Sequence, residues 1–128
     1  ENIEIVKLLT SREDVDINTK DDWGKTAFYY ACTGENLEIV EQLISVGADI
    51  NAKNKHGITA FQTLDWEVKW RGFSLEDQVR IGVKICRAHQ IPPSEFVGLM
   101  PRIMNRSEEN ELKMQISSSV RRKSARKQ

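Results

Sequence analysis

The stretch from Asp21 to Lys53 recurs in part on both sides, and this period constrains the fold more than any other feature. Gly57 follows Gly24 by 33 positions, and Thr59, Phe61 and Asn51 follow Thr26, Phe28 and Asn18 by the same step. Glu4-Ile5-Val6 precedes Glu38-Ile39-Val40 by 34, the extra residue falling between Thr10 and Asp16. Such a period is that of a solenoid of stacked helix pairs, in which no single unit buries its own apolar faces.

Within the period each residue type has a local task. Gly24 allows a tight turn, and Thr26 offers an oxygen to the free amides of a helix start. Phe28, Tyr29, Ala31 and Cys32 make an apolar stripe on a short first helix. Leu37, Val40, Leu43 and Ile44 recur at steps of three and four, as in an amphipathic second helix. Gly47 supplies the left-handed residue that ends it, and Asp49-Ile50-Asn51 leads out extended.

The run Gly24-Lys25-Thr26-Ala27-Phe28-Tyr29-Tyr30-Ala31 resembles the ankyrin pattern G-x-T-P-L-H-x-A, with Ala27 for Pro, Phe28 for Leu and Tyr29 for His. Leu37 to Asn51 is similar to the ankyrin second helix and its exit turn. The resemblance covers residues 1–65 and implies an all-α ankyrin-repeat solenoid with projecting turns. Expected along the chain are a partial repeat over 1–20, a complete repeat over 21–53 and a diverged capping repeat over 54–90. A short helical extension over 91–104 follows, then a polar, disordered basic tail over 105–128, in which Leu112 and Ile116 permit a weak helix. Glu1 aligns near Glu35, so the chain is expected to lack N-terminal repeats, and helix 1–11 to fray or present apolar surface. In the capping repeat, Trp66, Trp70 and Phe73 read as an apolar plug, with an aromatic recognition patch as the competing view. A helix restarting at Ser74 would turn Leu75, Val79, Val83 and Cys86 inward. Phe96, Leu99, Met100, Ile103 and Met104 have apolar spacing that could pack on the third repeat.

The zero net charge conceals an asymmetry: residues 1–119 carry −5 and residues 120–128 carry +5. Cys32 and Cys86 fall on apolar helix faces, as buried thiols of a reducing compartment do. That setting suggests a cytoplasmic protein, with a nuclear location as the alternative. No apolar run reaches the roughly 18–20 residues of a membrane span. No Ser-His-Asp set, HExxH, Walker loop, CxxC pair or glycine-rich phosphate loop is present, so neither catalytic nor metal-binding residues are assigned. No cofactor, small-molecule substrate or enzymatic activity is expected.

The resemblance implies that another protein binds at the turn tips and exposed first-helix faces. Carried over position by position, these are Asp22, Trp23, Lys25, Tyr30 and Thr33 in the second repeat, and Lys55, His56, Ile58 and Thr63 in the third. For Trp23 and Tyr30 the competing reading is packing over the neighbouring turn; His56 reads more simply as a turn residue, and His89 as complementing a helix dipole. The chain thus reads as a scaffold or adaptor. The alternatives are a regulatory C-terminal segment of a larger enzyme or effector, and a tether of nucleic acid or anionic membrane through Arg121–Lys127. Ser124, in that basic run, is a candidate phosphorylation site.

Overall fold

Thr26 and Asn36 start the two helices of the central repeat by accepting orphan amides: Tyr29 N donates to Thr26 Oγ1 (3.2 Å) and Glu38 N to Asn36 Oδ1 (2.9 Å). The computed structural model describes residues 3–12, 14–34, 36–101 and 105–126. The elements, in order, are α1 (Ile3–Thr10), α2 (Ala27–Thr33), α3 (Leu37–Ser45), a single 3-10 turn (Ala60–Gln62), α4 (Leu64–Gly72), α5 (Leu75–His89), α6 (Pro93–Leu99) and α7 (Arg106–Arg126). Among the described residues there is no strand, only one isolated bridge between Lys53 and Thr59. The fold is the all-α repeat that the period implies.

Two compact units divide the chain, Glu1–Glu67 and Val68–Gln128, and the division falls inside α4 and inside the stretch 54–90. In the first unit α3 packs on both α1 and α2, and α2 on the 3-10 turn. Phe28, Ala31, Cys32, Val40, Leu43, Ile44, Ala48, Ile50 and Phe61 are buried there. Phe28 and Phe61, one period apart, meet edge to face at 5.5 Å, and Trp66 lies 5.1 Å from Phe61. α3 ends in a Schellman motif: Gly47 (φ +90°) follows the helix, Ala48 N donates to Leu43 O (2.9 Å) and Gly47 N to Ile44 O (3.2 Å). α1 differs from its counterpart α3 in environment rather than in pattern. Ile5 is 54% exposed where Ile39 is 6%, and Leu9 is 45% exposed where Leu43 is 3%.

In the second unit α5, α6 and α7 pack pairwise. Here the structure departs from the sequence reading in three places. First, residues 64–72 form a helix, α4, ahead of the one expected from Ser74, its start capped where Thr63 Oγ1 accepts Trp66 N (3.2 Å). Trp66 and Trp70 are both fully buried, Trp70 beside Phe96 (5.9 Å) and Phe73 (6.1 Å) in the second unit. Second, Ser74 caps α5 as expected, but the inward face carries Gln78, Ile81, Gly82, Ile85 and Cys86 rather than Leu75, Val79 and Val83. Gln78 is satisfied in the interior by donating from Nε2 to Trp70 O (3.0 Å).

Third, the polar stretch 105–128, expected to be disordered apart from a weak helix at Leu112 and Ile116, carries the longest helix among the described residues, α7, through Arg126. Asn105 Oδ1 accepts Glu108 N (2.9 Å) and Asn105 Nδ2 donates to the Glu108 carboxylate (2.6 Å), closing the helix start. Leu112 and Ile116, four residues apart, are completely buried and anchor it. Arg87 Nη2 adds a bond to Ser119 O (3.1 Å). Ile103 and Met104 lie outside the described residues, as does the side chain of Ser124. Cys32 and Cys86 are buried thiols. Burial, and then the charge of Glu95, pushes the Cys86 thiol up to about 11.

Gly82 is where α5 admits its neighbours: a Cβ there would lie 3.0 Å from Ile116 Cγ1 and 2.9 Å from Phe96 Cε2. Gly82→Ala should therefore destabilise the second unit by about 1–3 kcal/mol through overpacking. Gly98→Ala in α6, where a Cβ meets nothing within 4 Å, should instead stabilise it by roughly 0.5–1 kcal/mol. Urea denaturation of the two variants beside the parent measures both, and equal effects of one sign would contradict the packing described.

Candidate partner-binding site

Two projecting turns are built on the same plan one period apart. Asp21 Oδ1 accepts the amides of Trp23 (3.0 Å) and Lys25 (2.9 Å); Asn54 Oδ1 accepts those of His56 (2.8 Å) and Ile58 (3.0 Å). Backbone bonds close each loop, Gly24 N to Asp21 O (2.9 Å) and Gly57 N to Asn54 O (2.9 Å), with both glycines left-handed at φ +77° and +78°. Four of the expected contact residues therefore have their backbones fixed by two side chains that the sequence reading left unassigned. The signal was present: an Asp or Asn three residues before each period glycine is the residue type that hydrogen-bonds its own turn.

The two turns are joined directly. Lys55 N donates to Trp23 O (2.9 Å) and Lys20 Nζ to Lys53 O (3.0 Å). The first bond requires the backbones to approach so closely that a Cβ on Gly24 would sit 2.8 Å from Lys55 N. Below the turns, Asp49 N donates to Asn18 Oδ1 (2.8 Å), holding one exit segment against the previous one.

On this frame Trp23 is 59% exposed, with Tyr30, Ile58, Asp22, Lys55 and His56 also exposed. Lys25 is half-buried, its Nζ 5.3 Å from the Tyr29 ring centre and 5.6 Å from that of Tyr30. Thr33 and Thr63 are half-buried and their hydroxyls bond backward to Tyr30 O (3.1 Å) and Ala60 O (2.9 Å). The structure thus gathers Trp23, Lys25 and Tyr30 with Lys55 along one pair of turns, and gives both threonines a role within their own helices. The 15-residue helix α5 carries His89 in its last turn, outside this site.

The Tyr30 hydroxyl donates a short hydrogen bond to the second carboxylate oxygen of Asp21. That bond lowers the Asp21 carboxyl below its ordinary range, and the same bond raises the Tyr30 phenol above its own. Both signs favour an intermediate pH window: Asp21's contribution to stability fades as pH falls through its lowered value, and Tyr30's as pH rises through its raised one. A cavity of about 570 Å³ opens in the first unit, lined by Ile5, Leu9, Ala31, Ile39 and Leu43 among others and reaching Tyr30. Among the described residues no group of three or more His, Cys, Asp or Glu could hold a metal ion, and no helix is long and apolar enough to cross a membrane.

Two predictions follow the geometry. Gly24→Ala and Gly57→Ala both incur a left-handed strain of about 1–2 kcal/mol, but only the former breaks the Trp23–Lys55 bond, so its melting temperature should fall further. Asp21→Asn should let Tyr30 titrate at lower pH in a phenolate absorbance titration; an unchanged curve would mean the Asp21–Tyr30 bond is not formed in solution.

A family model described as ankyrin repeats, in three copies, matches residues 1–63. The chain is 36% identical over 59 residues to the putative ankyrin repeat protein L271 of Acanthamoeba polyphaga mimivirus, covering 46% of this chain and 8% of that protein. It is 37% identical over 68 residues to protein phosphatase 1 regulatory subunit 27 of Mus musculus, covering 53% and 44%. It is 38% identical over 50 residues to the palmitoyltransferase akr1 of Schizosaccharomyces pombe, covering 39% and 8%. The chain spans less than half the length of each of these relatives. No solved structure matches it. Period, turn geometry and family model agree over residues 1–63, and by them this part of the chain belongs to the ankyrin-repeat family.

Proposed function

We propose that this chain is a non-catalytic protein-binding module that acts as a scaffold or adaptor and takes its partner on the paired turns and first-helix faces. The contact set is Asp22, Trp23, Lys25, Tyr30, Thr33, Lys55, His56, Ile58 and Thr63. One observation carries the reading: a largely exposed indole, Trp23, stands on a backbone fixed at both ends by hydrogen bonds to Asp21 and Lys55. Binding there orders little of the surface, so contact energy is not consumed in fixing loops. Buried aromatic anchors dominate such interfaces, and Trp and Tyr are enriched among them. Ankyrin repeats are protein-interaction modules in general, and a phosphatase regulatory subunit among the relatives fits that class. Two buried cysteine thiols suit a reducing, cytoplasmic setting.

A second reading makes the chain a regulatory segment of a larger enzyme. It is favoured by the match to a palmitoyltransferase of which the chain covers 8%. The test is affinity capture with the intact chain and with a variant replaced at Trp23, Tyr30 and His56 together, followed by titration of any partner retained. Loss of an anchor of this kind costs about 2 kcal/mol or more, so the variant should bind at least roughly thirtyfold more weakly. An unchanged affinity, with the helical content of the variant intact, would place the contact surface elsewhere.

A further inference from the structure

The basic residues of the first unit are concentrated at its turns. Residues 1–67 hold six Lys and Arg against thirteen Asp and Glu, yet four of the six, Lys20, Lys25, Lys53 and Lys55, lie within 20–25 and 53–58. Two of the thirteen acids, Asp21 and Asp22, lie there. Asp21 is turned to internal use: its two oxygens accept the amides of Trp23 and Lys25 and the hydroxyl of Tyr30. Asp22 remains as the exposed acid. The bonds from Lys20 Nζ to Lys53 O (3.0 Å) and from Lys55 N to Trp23 O (2.9 Å) hold the four lysine positions and the exposed indole on one edge. This is a short basic edge with an aromatic centre on a body that is otherwise acidic.

Such a distribution orients an anionic partner, attracting it at the turns and repelling it from the rest of the unit. Resting on the turn-surface reading above, we infer that the partner segment is an acidic peptide carrying one apolar or aromatic side chain. Its carboxylates meet Lys20, Lys53 and Lys55, and its apolar side chain lies on Trp23. A protein segment fits better than a nucleic acid: four lysines match a short run of carboxylates, while a long polyanion would be carried onto the acidic remainder of the unit.

The experiment uses the full chain and Trp-free, fluorescently labelled peptides that share one central Phe and are otherwise rich in Glu, in Lys or in Ser. Anisotropy reports binding, and acrylamide quenching reports whether Trp23 is covered, since Trp66 and Trp70 are already buried. The Glu-rich peptide should bind, shield Trp23, weaken with added salt and lose affinity by about tenfold or more in Lys53→Glu/Lys55→Glu. The charge-matched control Lys7→Glu/Lys113→Glu should bind as the parent does. Equal binding by the Lys-rich or Ser-rich peptide with Trp23 shielded would overturn the acidic chemistry and leave the turn surface standing. Binding of the Glu-rich peptide without shielding of Trp23 would instead overturn the turn surface itself. Equal loss in the control pair, tighter shielding by an oligothymidylate, or no binding by the Glu-rich peptide would each refute the inference.

Discussion

The carboxylate of Asp21 accepts three hydrogen bonds, from the amides of Trp23 and Lys25 and from the hydroxyl of Tyr30. The rest of the candidate surface depends on it. With both amides fixed, Trp23 O is presented to Lys55 N, and the two turns become one frame. Tyr30 ties that frame to α2, whose own start is set by Thr26. Asn54 repeats the amide pattern with a neutral side chain, and its Nδ2 donates to the Tyr29 hydroxyl (3.3 Å). Successive repeats thus solve one backbone problem with either charge state, and the charged version also recruits a phenol.

What could be read from the sequence follows from how local each constraint is. The helices of the central repeat, their caps at Thr26 and Gly47 and the burial of Phe28, Val40, Leu43 and Ile44 were legible because period and residue type act within a few positions. The exposure of Trp23, Tyr30, Lys55, His56 and Ile58 was legible through the repeat pattern alone. The roles of Asp21 and Asn54 were not legible in the repeat pattern, because it marks the residues that project and these two side chains bond backward into their own turns. The inward face of α5 was misjudged for a tertiary reason. Gly82 contributes no side chain to an apolar count, yet it lies on the buried face because Ile116 and Phe96 occupy its space. α7 was legible only as a weak helix: Leu112 and Ile116 are few among Glu, Ser and Arg, but two fully buried side chains one turn apart suffice to seat a capped helix.

The contrast between α1 and α3 shows how far pattern and burial can separate. Both helices carry Glu-Ile-Val followed by a leucine, and both fold as helices. Only α3 has α2 packed against it as its first helix, and only α3 buries its isoleucine and leucine. The same stripe on α1 lines one wall of the 570 Å³ cavity, with Ile39 and Leu43 on another. Amphipathic periodicity therefore sets which face a helix offers, while neighbouring elements decide whether water leaves it.

Charge placement adds a constraint that repeat packing does not impose. Nothing in the hydrogen-bond plan of the turns requires lysine at 53 or 55: only Lys20 lends its Nζ, to a backbone carbonyl, whereas the bond to Trp23 uses the amide of Lys55 and not its side chain. Any residue but proline could supply that amide. Their side chains thus remain available to act through their field on a unit with a twofold excess of acids. A rigid backbone with a few cations around one indole divides the work of recognition. The field selects and orients the approaching segment over roughly 8–10 Å, the screening length near physiological salt, and the indole, once covered, governs how slowly the segment leaves.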